Sequence, residues 1–288
     1  MNTNAGHTRA LLGRYGLAPD SRVAKLLRAP SSVESLIAVH SGIRRRLLAR
    51  GDSILITCMP KSGSTFLLAA LEEVTGYQQA KLIYSWARTD HELYLPRLLD
   101  AQFRHTVTRH HLRASGPNIE LLERFRIKPV VLVRNLYDAA VSVRDHLEKE
   151  GHHNFPALHA PNEFSQMQRH EQLEFVIDHV MPWYIQFYAS WYGPWIAGDM
   201  DMLWLRYEEL IEDWSSGVLQ VLEFYGLESN RAAITKAIEE SYRSDLVTKR
   251  FNQVVVGRGL DELTEAQRKR IRKLASYHSG VDFSYVGL

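Results

Sequence analysis

The chain has 288 residues, 45% hydrophobic and 24% charged, and its 35 Lys and Arg against 33 Asp and Glu leave a net charge of +2. That balance describes an ordinary soluble globular protein and argues against a general nucleic-acid or membrane-surface binder, which would need a larger excess of one sign. The lone cysteine, Cys58, excludes an internal disulfide and suits a reducing, cytoplasmic setting.

Residues 1–50 read as a polar helical extension packed on the main domain, with no role assigned, and the first residues lack the layout of a secretory signal. The extension ends in the basic segment Ile43–Arg50, and Gly51-Asp52 breaks the chain before a domain spanning 51–288. Residues 54–58 form a β-branched strand, Pro60–Thr65 a turn, and Phe66, Leu67, Ala70, Leu71 and Val74 the apolar face of a helix. Further strands are expected at His105–Arg109, Pro129–Val133 and Met202–Leu205, with helices at Glu120–Arg126, Tyr137–Lys149 and Val176–Trp191. Alternating strands and helices imply a single α/β domain with a central parallel sheet flanked by helices. Ligands of such sheets lie beyond the carboxyl ends of the strands, where Lys61, His111 and Arg134 follow three of them. The uncharged stretch Val180–Gly198 repeats Trp and Tyr at helical spacing and contains Pro182, Gly193 and Pro194, so it reads as a buried amphipathic helix.

The turn carries the first chemical signal. A helix N-terminus offers N–H groups and a partial positive charge to an anion. Gly63 permits close backbone approach, Lys61 adds charge, and Ser62, Ser64 and Thr65 add hydroxyls, with Phe66 directly after. The common nucleotide loop places lysine after its last glycine; here Lys61 precedes Gly63. Arg134 and Ser142, on a later strand–helix unit with Asp138 between them, form a fork and hydroxyl suited to a phosphate monoester.

Pro60-Lys-Ser-Gly-Ser-Thr-Phe66 and Val130-Val-Leu-Val-Arg-Asn-Leu-Tyr-Asp138 through Ser142 resemble the two phosphate-binding motifs of sulfotransferases. That resemblance covers about Ser53–Leu288 and implies a P-loop-like fold using 3′-phosphoadenosine 5′-phosphosulfate (PAPS) as co-substrate, with no metal. It implies the 5′-phosphosulfate end at Lys61–Phe66 and the 3′-phosphate at Arg134 and Ser142, although Leu136 replaces the family's proline. Arg109-His-His-Leu112 resembles the segment that carries the family's general base, which leaves His111 and His110 both eligible. Tyr207 and Tyr242 occupy positions associated with the adenine. The family's late basic segment is degraded to Asn252-Gln253-Val254, so Lys249, Arg250 or Arg258 is expected to supply the charge. The spacing of His152, His153, His159 and His170 does not match a zinc pattern; a loop over the acceptor is expected there.

The expected reaction is transfer of a sulfuryl group to a hydroxyl, less readily an amine, of a small-molecule acceptor, with His111 as base and Lys61 stabilising the leaving oxygen. The protein is expected to be a monomer or homodimer with no nucleic-acid or membrane partner. A kinase-like phosphoryl transfer and a non-catalytic nucleotide-binding module are the alternatives.

Overall fold

Ile54–Cys58 and Pro129–Val133 are buried at every residue, so these strands bury side chains on two faces and need helices on both. The computed structural model describes residues 51–85, 91–150, 160–228, 230–243 and 255–288. Expectations for residues 1–50, for His152, His153 and His159, and for Lys249, Arg250 and residues 252–254 lie outside the described residues. Strands β1 (Ser53–Cys58), β2 (Gln78–Gln79), β3 (Thr106–His110), β4 (Pro129–Val133) and β5 (Leu203–Arg206) form one sheet, ordered β2-β3-β1-β4-β5. Every pairing is parallel.

The helices are α1 (Ser64–Thr75), α2 (Leu95–Ala101), α3 (Gly116–Phe125), α4 (Leu136–Glu150), α5 (Arg169–His179), α6 (Met181–Ala197), α7 (Tyr207–Glu212), α8 (Trp214–Phe224), α9 (Arg231–Arg243), α10 (Arg258–Glu262) and α11 (Glu265–Ala275). On one face Ile54, Ile56 and Cys58 of β1 join Val130 and Leu132 of β4 under Phe66, Leu67 and Leu71 of α1 and Val218 and Val221 of α8. The opposite face sets Leu55, Val131 and Val133 against α4 and the aromatic helix α6. β1 is therefore apolar on both sides, as a central parallel strand must be. Since β3 and β4 flank it, the loops that follow β1, β3 and β4 emerge side by side.

Several element boundaries depart from the sequence reading. The helix expected over Val176–Trp191 is two, α5 and α6, meeting at Val180. Pro182 has no N–H to continue the α5 ladder but fits the first turn of a new helix, and the Trp183 N–H bonds back to the Val180 carbonyl at 3.0 Å. α3 begins a turn earlier than expected because the Ser115 hydroxyl caps it, accepting from the Asn118 N–H at 3.4 Å. β3 starts at Thr106 rather than His105, whose Nδ1 instead accepts from the Asp52 N–H at 3.3 Å. β5 runs Leu203–Arg206, one residue later than expected, in register with Val130–Val133. The break at Gly51 has a steric cause, since a Cβ there would collide with the Arg104 backbone. No helix among the described residues is long and apolar enough to cross a membrane.

Candidate active site

The turn between β1 and α1 is held through its carbonyl groups. The Ser62 hydroxyl donates to the Met59 carbonyl at 2.6 Å, the Tyr184 hydroxyl to Pro60 at 2.8 Å, and Arg134 Nη1 to Lys61 at 2.8 Å. The Gly63 carbonyl accepts from the Phe66 and Leu67 N–H groups. Lys61 (φ 63°) and Gly63 (φ 80°) both adopt the left-handed conformation, which is strained for a lysine and free for a glycine. A Cβ on Gly63 would also lie 3.1 Å from the rings of Tyr207 and Trp214. Among the described residues no side chain caps α1, so the N–H groups that precede Phe66 at its N-terminus suit an anion. Ser62, expected as a ligand hydroxyl, is buried and its proton closes the turn. Ser64 is also buried and hydrogen-bonds the Cys58 thiol. Thr65 is partly exposed.

Arg134 follows β4, is 4% exposed, and stacks its guanidinium on the Tyr207 ring at 4.2 Å. Its Nε is buried with no hydrogen-bond partner among the described residues. A buried guanidinium with an unsatisfied donor beside an uncapped helix end is what a bound phosphate would complete. Asn135 caps α4, its Oδ1 accepting from the Tyr137 N–H at 2.9 Å, and Glu208 Oε1 accepts the Asn135 N–H at 2.8 Å. Ser142 is buried one turn beyond Asp138 on α4. Asp138 accepts from the Gly257 and Gly259 N–H groups at 2.8 and 2.7 Å, pinning the start of α10 against α4. A side chain at Gly259 would collide with the Tyr137 and Asp138 backbone.

Arg258, expected to bring charge to a phosphate, is already engaged. Its guanidinium pairs with Asp145 at 2.8 Å and Glu262 at 2.8 Å along the α4–α10 seam. Tyr242 lies beside the turn's exit: its ring is 4.7 Å from Phe66, which in turn packs on Trp214 at 4.2 Å. Phe66, Tyr207 and Tyr242 thus border one aromatic patch flanking Gly63.

The two histidines after β3 have different surroundings. His110 is fully buried, and its Nε2 accepts from the Leu82 N–H at 3.1 Å with the Thr108 hydroxyl at 2.8 Å. Burial, reinforced by the charges of His91 and His111, holds its pKa well below the usual histidine value. His111 donates from Nδ1 to the Cys58 carbonyl at 2.7 Å, at the foot of the Lys61 turn. That bond puts the ring proton on Nδ1 and the lone pair on Nε2. The His111 main chain is fixed too: its N–H donates to His91 Nδ1 at 3.0 Å, and the two rings stack at 5.3 Å. Leu112 is held through its carbonyl by the Thr57 hydroxyl (2.8 Å) and Trp191 Nε1 (2.9 Å), so α6 braces the segment that carries His110 and His111. Cys58 is buried, and burial pushes its thiol up to about 11, which suits a packing role and not a nucleophile.

Lys61, His111 and Arg134 therefore meet beside the end of β1, as the strand order requires. His91, Tyr184 and Glu208 were missed from sequence. For Tyr184 a signal existed in the aromatic spacing of α6; His91 precedes no strand, and Glu208 had only the Tyr-Glu-Glu run. Among the described residues no group of three His, Cys, Asp or Glu is placed to hold a metal ion.

Residues 51–275 match the family model described as a sulfotransferase domain. No curated protein sequence matches the chain significantly. Among solved structures the chain is similar to a mouse sulfotransferase complexed with PAP, at 18% identity over 82% of this chain and 88% of that one, with a TM-score of 0.59. It is also similar to retinol dehydratase in a complex with retinol and PAP, at 15% identity over 82% and 84% of the two chains, with a TM-score of 0.56. A second retinol dehydratase complex, with androsterone and the inactive cofactor PAP, gives 16% identity, 82% and 83% coverage and a TM-score of 0.55. At these identities the likeness is one of fold.

Proposed function

The chain belongs to the sulfotransferase domain family, and on that premise we propose that it moves a sulfuryl group from PAPS to a hydroxyl of a small-molecule acceptor, releasing adenosine 3′,5′-bisphosphate. One observation supports the reading: the Lys61 turn, Arg134 and His111 converge on the end of β1. Arg134 bonds to the carbonyl of Lys61 at 2.8 Å, and His111 bonds to that of Cys58 at 2.7 Å. A single-phosphate ligand would need the turn alone; a nucleotide phosphorylated at both 5′ and 3′ positions uses the turn and Arg134 together.

The Lys61–Thr65 turn and the α1 N-terminus would hold the 5′ end, and Arg134 with Ser142 the 3′-phosphate. Tyr207, Tyr242 and Phe66 would border the base. Arg258 contributes by fixing α10 against α4 and not as a free cation, given its ion pairs with Asp145 and Glu262. The co-substrate supplies the sulfuryl group, whose bond to the 5′-phosphate oxygen breaks as its bond to the acceptor oxygen forms. His111 Nε2 takes the acceptor proton, since Nδ1 already carries one. His110 serves the fold: burial disfavours its charged form, and its Nε2 is engaged by Leu82 and Thr108. Lys61 meets the charge growing on the departing oxygen, a kind of preorganised help worth about 10²–10³ in rate per donor.

Thermal-shift measurements with adenosine 3′,5′-bisphosphate, against ADP and ATP, test the cofactor. Selective stabilisation by the bisphosphate is expected, and equal or absent stabilisation overturns the reading. Labelled PAPS with a pooled panel of phenols, alcohols and amines tests transfer. His111→Ala is expected to abolish it, and a fully active His111→Ala variant removes the base assignment.

A further inference from the structure

Glu208 opens α7 directly after β5 and is buried, 8% exposed. A carboxylate is costly to bury unless its charge and lone pairs are used. Glu208 Oε1 accepts from the Asn135 N–H at 2.8 Å; Oε2 has no hydrogen-bond partner among the described residues and lies 3.9 Å from Arg206 Nε. Asn135 is the residue between Arg134 and α4, so its N–H belongs to the helix start, where no carbonyl of the helix can reach it and a negative charge is favoured.

The β4–β5 register explains why Glu208 is there. Val133 pairs with Arg206, which brings Tyr207 and Glu208 alongside Arg134 and Asn135. Tyr207 supports the face of the Arg134 guanidinium at 4.2 Å, and Glu208 holds the peptide group that follows Arg134. Asn135 is held on other sides as well. Its Oδ1 is spent on the Tyr137 N–H, and Gly287 sits so close that a Cβ there would collide with the Asn135 amide.

We propose that Glu208 is a positioning residue for Arg134. By holding the Asn135 N–H it sets the backbone from which Arg134 projects, so that the guanidinium reaches the Lys61 carbonyl and the 3′-phosphate of the nucleotide at once. This rests on the PAPS reading above. Glu208 touches no part of the nucleotide in this role; its effect is confined to discrimination for the 3′-phosphate.

The test is calorimetric binding of adenosine 3′,5′-bisphosphate and adenosine 5′-monophosphate to the wild type, Glu208→Ala and Glu208→Gln. The monophosphate uses the Lys61 turn and has no 3′-phosphate for Arg134 to bind, so it reports whether the turn and the rest of the site are intact. Glu208→Ala is expected to lower the ratio of bisphosphate to monophosphate affinity by tenfold or more, with monophosphate affinity within about threefold of wild type. Glu208→Gln, which keeps an acceptor for the Asn135 N–H, is expected to retain most of the ratio. The inference is overturned if Glu208→Ala keeps the wild-type ratio, if it loses both nucleotides equally, or if Glu208→Gln falls as far as Glu208→Ala. Wild-type protein that binds both nucleotides alike overturns the cofactor reading itself, and this inference with it.

Discussion

Replacing Gly63 by alanine tests how rigidly the turn is built. Gly63 has φ 80°, and a non-glycine residue in that region costs about 1–2 kcal/mol. The added methyl would lie 3.1 Å from Tyr207 Cδ2 and Trp214 Cη2. Neither ring can give way cheaply: Tyr207 is stacked under the Arg134 guanidinium at 4.2 Å, and Trp214 is packed on Phe66 at 4.2 Å. Overpacking of that kind costs about 1–3 kcal/mol. Together the two terms come to about 2–5 kcal/mol, and at about 2–4 °C per kcal/mol for a domain of this size the Tm should fall by roughly 4–20 °C. The readout is differential scanning calorimetry of wild type and Gly63→Ala without nucleotide. Bisphosphate affinity should fall as well, because any shift of Tyr207 moves Arg134. A Tm within about 2 °C of wild type, with unchanged affinity, would refute the description of Gly63 as sterically enclosed.

Tyr184→Phe removes the hydroxyl that donates to the Pro60 carbonyl at 2.8 Å and leaves that buried acceptor unpaired; a loss of about 1–3 kcal/mol is expected in urea unfolding, with the m-value unchanged. His110 should make stability pH-dependent. Its folded-state pKa lies well below the unfolded value near 6.5, so the unfolded chain binds the proton first as pH falls. Stability is therefore whole above about pH 6.5 and declines below it, by up to about 1.4 kcal/mol per pH unit from this group, and His110→Asn should flatten that part of the Tm–pH curve. Cys58, pushed up to about 11 by burial, should remain unmodified by iodoacetamide in native protein at pH 8 and react fully in urea; rapid native alkylation would contradict its enclosure.

The sequence patterns that survived were those with one physical cause. Pro129–Val133 is apolar on both faces and could only be a central parallel strand, and its limits are those observed. The turn at Lys61–Gly63 was legible because lysine and glycine there have local roles in charge and conformation. The split of Val176–Trp191 was less visible, because a proline is tolerated in a first turn and gives a weak stop signal inside an apolar stretch. Arg258 illustrates a different gap. The degraded basic segment suggested that it supplies charge; its i,i+4 partner Glu262 is a local pattern, but Asp145 comes from the middle of α4 and no local pattern announces that pair. His110 and His111 are adjacent in sequence and both buried, and only the strand's alternation and the reach of Leu82 separate a ring held by Leu82 from one facing the Lys61 turn.

β1 comes first among the described strands, yet the long-range ties on the turn that follows it come from later in the chain. Its sheet neighbours are residues 106–110 and 129–133, and the turn's carbonyls are held by Arg134 and Tyr184. Contacts of such sequence separation form late and slowly. An unfinished chain would thus carry the whole Pro60–Phe66 motif without the ability to hold an anion in it. A nucleotide that needs this turn has nothing to bind until α6 has docked, so it should slow unfolding while leaving the refolding rate nearly unchanged.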